Sequence, residues 1–165
     1  MRRARSIIEF LLVLVSIASC SVMQIKRTQD LTERLVKSLY QKNGNAFYLS
    51  STHASFSTVW THTEDMVIVY RLQKGKRKQM LSFMEKGIVQ FARIDPDDIE
   101  KELYQKCALE LDGDVFGFII DVDGNMLSED YAIDIQCMKQ SQYESEFLGT
   151  IKKDIQEYKL WNIND

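Results

Sequence analysis

The first 20 residues constrain the fold most, because they have the layout of a segment that is removed before the chain folds. The chain begins with the basic stretch Met1–Arg5 and continues with a short apolar run to Ser19, directly before Cys20. A basic region, a short apolar core and small residues are typical of a secretory signal, and such a run is too short to span a bilayer comfortably. We therefore predict that residues 1–19 are a signal peptide and that residues 20–165 are the mature chain.

The residues at the end of this segment resemble a known processing motif. Residues 17–20, Ile-Ala-Ser-Cys, resemble the lipobox of bacterial lipoproteins. The resemblance implies that Cys20 receives a diacylglyceryl thioether, that the signal is cut before it and that the new amino group is acylated, and two or three acyl chains make a stable anchor. Ser21 follows, with no acidic residue before Asp30, which in that family implies the periplasmic face of the outer membrane. The alternative is an ordinary signal peptide with a chance cysteine near its end.

Charge is distributed unevenly along the mature chain. After residue 19 the sequence holds 18 basic and 23 acidic residues, a net charge of −5. Residues 20–94 hold 12 basic and 5 acidic residues, whereas residues 95–165 hold 6 basic and 18 acidic residues. Either the two halves pack against each other through faces of opposite charge, or the electrostatic field of each half attracts a partner. We predict the first arrangement, within the single domain that this length favours.

The densest basic cluster is the stretch KGKRK at Lys74–Lys78. Such a cluster is compatible with nucleic acid or with anionic lipid. A periplasmic location argues against nucleic acid, and we predict a solvated hairpin tip.

The first half of the mature chain predicts a helix followed by an antiparallel meander. Thr28–Lys42 carries leucines at every fourth position and ends before Asn43-Gly44, which is typical of an amphipathic helix. Residues 20–28 would then be a short tether to the membrane. Strands are predicted at Ala46–Leu49, Phe56–His62, Met66–Leu72, Gln79–Phe83 and Gly87–Ile94.

The second half predicts an αββα unit. Asp95 can cap a helix that begins at Pro96, and Cys107 continues its apolar stripe near the helix end. Asp123-Gly124 joins two extended runs into a hairpin, the second run ending in the alternating residues Tyr131, Ile133 and Ile135. A capping box at Ser141–Glu144 would open a last helix with the stripe Phe147, Ile151 and Ile155, and Trp161–Ile163 can add a short terminal strand.

Residues 95–163 are also similar to the C-terminal domain of TonB and its periplasmic relatives. The similarity lies in the order of helix, hairpin and helix, and in four sequence features. These are Pro96, the run Gly113-x-Val115-x-Gly117-x-Ile119, the turn Asp121-x-Asp123-Gly124, and Trp161-x-Ile163. The resemblance implies a domain that binds extended peptide segments of partner proteins and has no catalytic centre.

Cys107 and Cys137 are the two cysteines that remain once Cys20 carries a lipid. An even pair in an oxidising compartment favours a disulfide. Closing a loop of about 30 residues would contribute roughly 3 to 4 kcal/mol. The alternative is two reduced thiols that pack as small apolar side chains. We predict the disulfide, although no C-x-x-C spacing indicates a redox enzyme.

The other candidates for chemistry do not form a recognisable site. The aspartates at 112, 114, 121 and 123 lack the residue order of an EF-hand loop, and we assign them to turns. His53 and His62, the only histidines, have no cysteine or paired carboxylate at ligand spacing. The chain has no G-x-S-x-G motif and no phosphate-binding glycine loop. We therefore predict no catalytic residue, no metal ligand and no cofactor.

The sequence as a whole predicts an α+β fold: an N-terminal helix, an antiparallel β-meander and an αββα unit. Residues 29–165 would form one domain, divided into a helix and meander at 29–94 and an acidic unit at 95–165. The predicted function is that of a membrane-anchored, non-catalytic module that binds a protein or peptide, for which a basic partner would be complementary, and not nucleic acid. The alternatives are a small periplasmic hydrolase whose site forms only in the fold, and an inhibitor or immunity-type lipoprotein.

Overall fold

The computed structural model describes residues 2–84, 91–92, 94–109 and 113–157, with side chains placed for residues 22–77, 91–92, 94–109 and 113–156. Helix α1 (Arg2–Asn43) contains the predicted helix Thr28–Lys42 and extends it toward the N-terminus. Residues 20–28, assigned above to a tether, are therefore helical. Within the described part of the chain, no helix is both long and apolar enough to cross a membrane.

The strands form one antiparallel sheet in the order β4-β3-β2-β1-β5-β6. Their bounds are β1 (Asn45–Ser50), β2 (Phe56–His62), β3 (Met66–Gln73), β4 (Lys76–Met84), β5 (Asp114–Val122) and β6 (Asn125–Ile133). The predicted meander β1–β4 and the predicted hairpin β5–β6 are confirmed. The hairpin joins the meander through antiparallel pairing of β5 with β1, so both halves of the chain build one sheet.

Three helices accompany the second half of the sheet. Helix α2 (residues 96–107) has three parts, α-helical Pro96–Asp98, π-helical Ile99–Tyr104 and α-helical Gln105–Cys107. Its predicted cap is confirmed, because Asp95 accepts a hydrogen bond from the backbone N–H of Asp97 at 2.9 Å. Helices α3 (Ile135–Gln140) and α4 (Glu146–Glu157) follow β6.

Two predicted details after β6 are wrong. Ile135 does not continue the strand, because Asp134 accepts the N–H of Gln136 at 2.7 Å and caps α3, in which Ile135 is the first residue. The capping box at Ser141–Glu144 does not open α4 either, because Ser141 ends α3. The start of α4 is instead capped by Ser145, whose Oγ accepts the N–H of Leu148 at 3.5 Å.

The sheet lies between two helical layers. On one face, Leu35, Val36 and Leu39 of α1 pack on residues of β1, β2, β3 and β5, namely Ala46, Val59, Leu72 and Ile119. On the other face, α2, α3 and α4 pack on the alternate residues of the same strands, including Phe47, Trp60 and Phe118. Because side chains alternate along a strand, both faces of the central strands are buried. The predicted stripe of α4 is buried in this second layer.

Two predicted elements fall largely outside the described residues. The strand expected at Gly87–Ile94 is described at three positions, of which Phe91 and Ala92 are helical. The terminal strand at Trp161–Ile163 lies entirely outside the described range.

Candidate functional site: a groove beside an acidic sheet edge

Helix α1 covers the centre of the sheet but leaves a groove beside β5 and β6. The groove has a volume of about 360 Å³. One wall is α1 and the floor is the sheet. The lining residues are Gln29, Thr32, Glu33, Val36, Lys37, Tyr48, Ser50, Val115, Ile119, Ser128 and Asp130.

A tyrosine crosses the floor of this groove above a glycine. Tyr48 on β1 pairs with Gly117 on β5, and Gly117 pairs with Asp130 on β6. The Tyr48 hydroxyl donates a hydrogen bond to Asp130 across the intervening strand. A Cβ atom at position 117 would lie 2.5 Å from the Tyr48 hydroxyl oxygen. Only glycine therefore allows the ring to lie flat over β5.

Tyr48 is held in its neutral form. Burial is the main cause that raises the pKa of Tyr48, and the hydrogen bond to Asp130 adds to it. A phenol of raised pKa keeps its proton at neutral pH and acts as a hydrogen-bond donor.

The α1 wall adds a charged pair at the mouth of the groove. Lys37 Nζ donates to Glu33 Oε1 at 2.7 Å, one helical turn apart. This hydrogen bond lowers the pKa of Glu33, so the carboxylate stays ionised. Both side chains are well exposed, and such a pair exchanges easily with an incoming charged group.

Beside the groove, β6 forms an edge of the sheet. Among the described residues, β6 pairs with β5 along its length. Within the described part of the chain, the other side of β6 has backbone partners only near its end, where Leu109 N–H donates to Ala132 O at 3.1 Å and Ala108 bridges to Ile133. The stretch from Asn125 to Asp130 therefore presents backbone groups outward, as edge strands do.

The β5–β6 region is strongly acidic. Residues 113–134, which we call the acidic hairpin, contain six aspartate or glutamate residues and no lysine, arginine or histidine. Four of them, at 121, 123, 129 and 130, are exposed. Two large apolar side chains flank the turn, Val122 and Met126, and Met126 is 62% exposed. The edge thus combines open backbone, negative charge and some apolar surface.

The predicted cysteine pair comes together away from the groove. Cys107 ends α2 and Cys137 lies in α3, with Cα atoms 5.6 Å apart and Sγ atoms at bonding distance. Asp134 N–H donates to the carbonyl of Cys107 at 2.8 Å, which places the two helices side by side. Cys20 lies within α1.

Of the four aspartates assigned to turns, Asp121 and Asp123 lie at the β5–β6 turn, Asp114 instead begins β5, and Asp112 lies outside the described residues. Asp121 accepts the N–H of Gly124 at 2.8 Å, while Asp123 and Gly124 both have positive φ, as a tight hairpin turn requires. His62 is half-buried at the end of β2, and burial lowers its pKa. His53 is exposed. Among the described residues, no three histidine, cysteine or acidic side chains are grouped closely enough to hold a metal ion.

Ser51 orders the turn between β1 and β2. Ser51 Oγ accepts the backbone N–H groups of His53 and Ala54 at 3.2 and 3.1 Å. The Ser51 side chain is also hydrogen-bonded to Asp114, whose pKa is raised mainly by burial. The Ser51 hydroxyl is thus hydrogen-bonded to two backbone N–H groups of the turn and to the side chain of Asp114.

The Tyr48–Gly117–Asp130 arrangement was missed by the sequence reasoning. The signal available was Gly117 itself, because a glycine inside the run VFGFII marks a bulge or a close approach of another group. The identity of that group depends on the pairing of β1 with β5, and these two strands lie far apart in the sequence.

Comparison with protein-family models, with curated proteins and with solved structures finds no match to this chain.

Proposed function

We propose that this chain is a lipid-anchored, non-catalytic binding protein at the periplasmic face of the outer membrane, and that it holds an extended, basic segment of a partner protein along β6. The anchor is Cys20, as the lipobox resemblance implies. The observation that carries the binding proposal is the acidic hairpin, which combines six acidic and no basic residues with an outward backbone edge from Asn125 to Asp130.

An extended segment suits this edge better than a folded surface. A peptide in β conformation can add to an exposed strand through main-chain hydrogen bonds, while its alternate side chains point to one face. On the α1 side of the sheet, those side chains would meet the groove, where Ser128, Asp130 and Glu33 offer oxygen acceptors. Lysine or arginine at alternate positions is complementary to these groups.

The groups in the groove favour binding over catalysis. Tyr48 keeps its proton because burial and Asp130 raise its pKa, and Glu33 is paired with Lys37. General acid–base chemistry at neutral pH needs a group whose pKa lies near the working pH. Polar groups with fixed protonation states instead provide hydrogen bonds of defined direction, which is what recognition requires.

The binding proposal is tested with a defined peptide. The probe is an extended peptide of about ten residues in which lysine alternates with threonine, titrated into the purified lipid-anchored protein. We expect saturable binding and slower amide hydrogen exchange at residues 125–130, because new main-chain hydrogen bonds protect those amides. Unchanged exchange along β6, with protection elsewhere, would contradict the proposal.

A lysine substitution on β6 distinguishes binding at this edge from attraction of the peptide by the overall charge of the protein. Ser128 is exposed on β6 and lines the groove, so Ser128→Lys should weaken peptide binding by about tenfold through like-charge repulsion. Ser38 is exposed on α1 and does not line the groove, so Ser38→Lys makes the same change in net charge with little effect. Equal effects of the two variants would show that binding is not directed to β6.

The anchor is tested by the intact mass of the protein isolated from membranes. We expect a chain that begins at Cys20 and carries acyl chains. A mass that includes residues 1–19 without acyl chains would exclude the anchor.

A further inference from the structure

The hairpin between β3 and β4 is held against α1 shortly after Cys20. Its turn is formed by Lys74 and Gly75, and Gly75 N–H donates to Thr28 Oγ1 of α1 at 2.9 Å. A Cβ atom at Gly75 would lie 2.7 Å from Arg27 Cδ, so the turn and the helix are in close contact. The hairpin tip therefore has a fixed position relative to the N-terminal part of α1.

This contact brings basic side chains of α1 and of the β3–β4 hairpin together at one end of the molecule. Five exposed basic side chains lie on the two joined elements, and we call them the basic end: Lys26, Arg27, Lys74, Lys76 and Arg77. The sequence contains no acidic residue in 22–29 or in 66–84. The nearest acidic residue on α1 is the exposed Asp30, one helical turn after Lys26 and Arg27, so the five basic side chains keep a net positive charge.

Exposed apolar side chains adjoin the basic end. Val22 and Met23 of α1 are 64% and 70% exposed, and they are the first side chains described after Cys20. Apolar groups next to lysine and arginine on a helix are typical of segments that lie at a membrane interface. Exposure of both residues to water alone would be unfavourable.

The distance to the anchor brings the basic end within reach of the headgroups. Cys20 and Arg27 lie on the same continuous helix, and seven residues of α-helix advance by about 11 Å. The screening length at physiological ionic strength is about 8 Å, and the field of an anionic leaflet acts over this range. Cations at this height above an acylated cysteine lie in or near that field.

We propose that the basic end is a second binding surface, which docks on anionic phospholipid headgroups while Val22 and Met23 enter the interface. The proposal rests on the anchor at Cys20 in the proposed function, but not on the peptide site at β6. The acidic hairpin turn is then directed away from the bilayer, because Asp121 N–H donates to Gly44 O just beyond the far end of α1. The docked molecule would thus hold its peptide site away from the membrane surface.

Lysine footprinting of the anchored full chain tests this surface. The protein is reconstituted in vesicles of phosphatidylcholine alone or with phosphatidylglycerol, and modification of each lysine by an amine-reactive reagent is followed by mass spectrometry. On phosphatidylglycerol vesicles, we expect Lys26, Lys74 and Lys76 to react at least about fivefold more slowly, and added salt to remove the difference. Lys37 and Lys101, which are exposed on α1 and α2, serve as internal controls and should react equally on both vesicles.

Two matched variants make the test specific. Lys74→Gln combined with Lys76→Gln and Arg77→Gln should return Lys26 to its rate on neutral vesicles. Lys42→Gln combined with Lys101→Gln and Lys106→Gln removes the same charge elsewhere and should leave Lys26 protected. Equal rates for Lys74 and Lys76 on the two vesicle types, in protein that floats with the vesicles, would overturn the proposal. Protein that does not float with either vesicle would instead overturn the anchor itself.

Discussion

At the scale of single residues, Gly117 sets the shape of the groove floor. In Gly117→Ala the new methyl group would displace the Tyr48 ring and break its hydrogen bond to Asp130, since a Cβ there lies 2.5 Å from the hydroxyl oxygen. We expect a loss of about 1 to 3 kcal/mol in unfolding free energy, measured by urea denaturation. Gly149→Ala is the control, because position 149 is helical with open space around it and alanine there should stabilise by about 0.5 to 1 kcal/mol. Similar effects of the two substitutions would argue against the packing of Tyr48 described above.

His62 gives the fold a pH dependence whose sign follows from burial. Burial lowers the pKa of His62, so the unfolded chain binds a proton at higher pH than the folded chain. The stabilisation is complete above the ordinary pKa of about 6.5 and is lost as the pH falls below it. Lys42 and Glu64 line the cavity beside the imidazole.

We therefore expect His62→Gln to flatten the decrease in unfolding free energy between about pH 7 and about pH 5. His53→Gln is the matched control, because His53 is exposed, and it should keep most of the decrease. Urea denaturation at several pH values measures both. A wild-type slope in the His62→Gln variant would assign the pH dependence to other groups.

At the scale of elements, the cysteine pair joins the end of α2 to α3. Cys107 and Cys137 are 30 residues apart. In the chain-entropy treatment, a crosslink over such a loop lowers the entropy of the unfolded chain, which raises the unfolding free energy by about 3 to 4 kcal/mol. Cys107→Ala combined with Cys137→Ala should lower the unfolding free energy by roughly this amount. A reductant should destabilise the wild type and leave the double variant unchanged. No effect of reductant on the wild type would show that the bond does not form.

The elements that local sequence determines were predicted well. β2 was predicted to the residue, because aromatic and β-branched side chains predominate from Phe56 to His62. Ile135 was misassigned because it continues the alternation of Tyr131 and Ile133 in β6, although Asp134 caps a helix there. Local periodicity and capping compete at such positions, and tertiary packing decides between them. The pairing of β1 with β5, and with it the groove, has no local signal.

At the scale of the whole molecule, charge is separated between the two ends of the structure. The basic end lies where the β3–β4 turn meets α1 at Thr28, and the turn of the acidic hairpin meets the chain at Gly44, beyond the other end of that helix. Three ion pairs, Lys37–Glu33, Lys101–Asp97 and Lys106–Glu102, each join residues four apart on one helix. These pairs neutralise charge locally and leave the separation between the ends in place. The charge asymmetry of the sequence therefore corresponds to a basic and an acidic surface, which the proposals above assign to different partners.

Added salt should therefore lower the affinity for the peptide far more than it lowers the unfolding free energy. From about 0.01 M to about 1 M salt the screening length falls from about 30 Å to about 3 Å. Exposed helix pairs are each worth less than about 1 kcal/mol, so we expect the unfolding free energy to change by no more than about 2 kcal/mol. Over the same range, affinity for the lysine–threonine peptide should fall at least about tenfold. Urea denaturation and peptide titration in one salt series measure both quantities.

The opposite result would have a definite physical meaning. If unfolding free energy fell in step with peptide affinity, attraction between the basic and acidic halves would be holding the fold together, as the sequence alone suggested. The hydrophobic layers on both faces of the sheet argue against this, because burial of Phe47, Trp60 and Phe118 on one face and Leu35 and Leu39 on the other is insensitive to screening. A fold stabilised by apolar burial does not need attraction between its basic and acidic ends, so charges of opposite sign can stay apart, as our proposals for anionic lipid and basic peptide require.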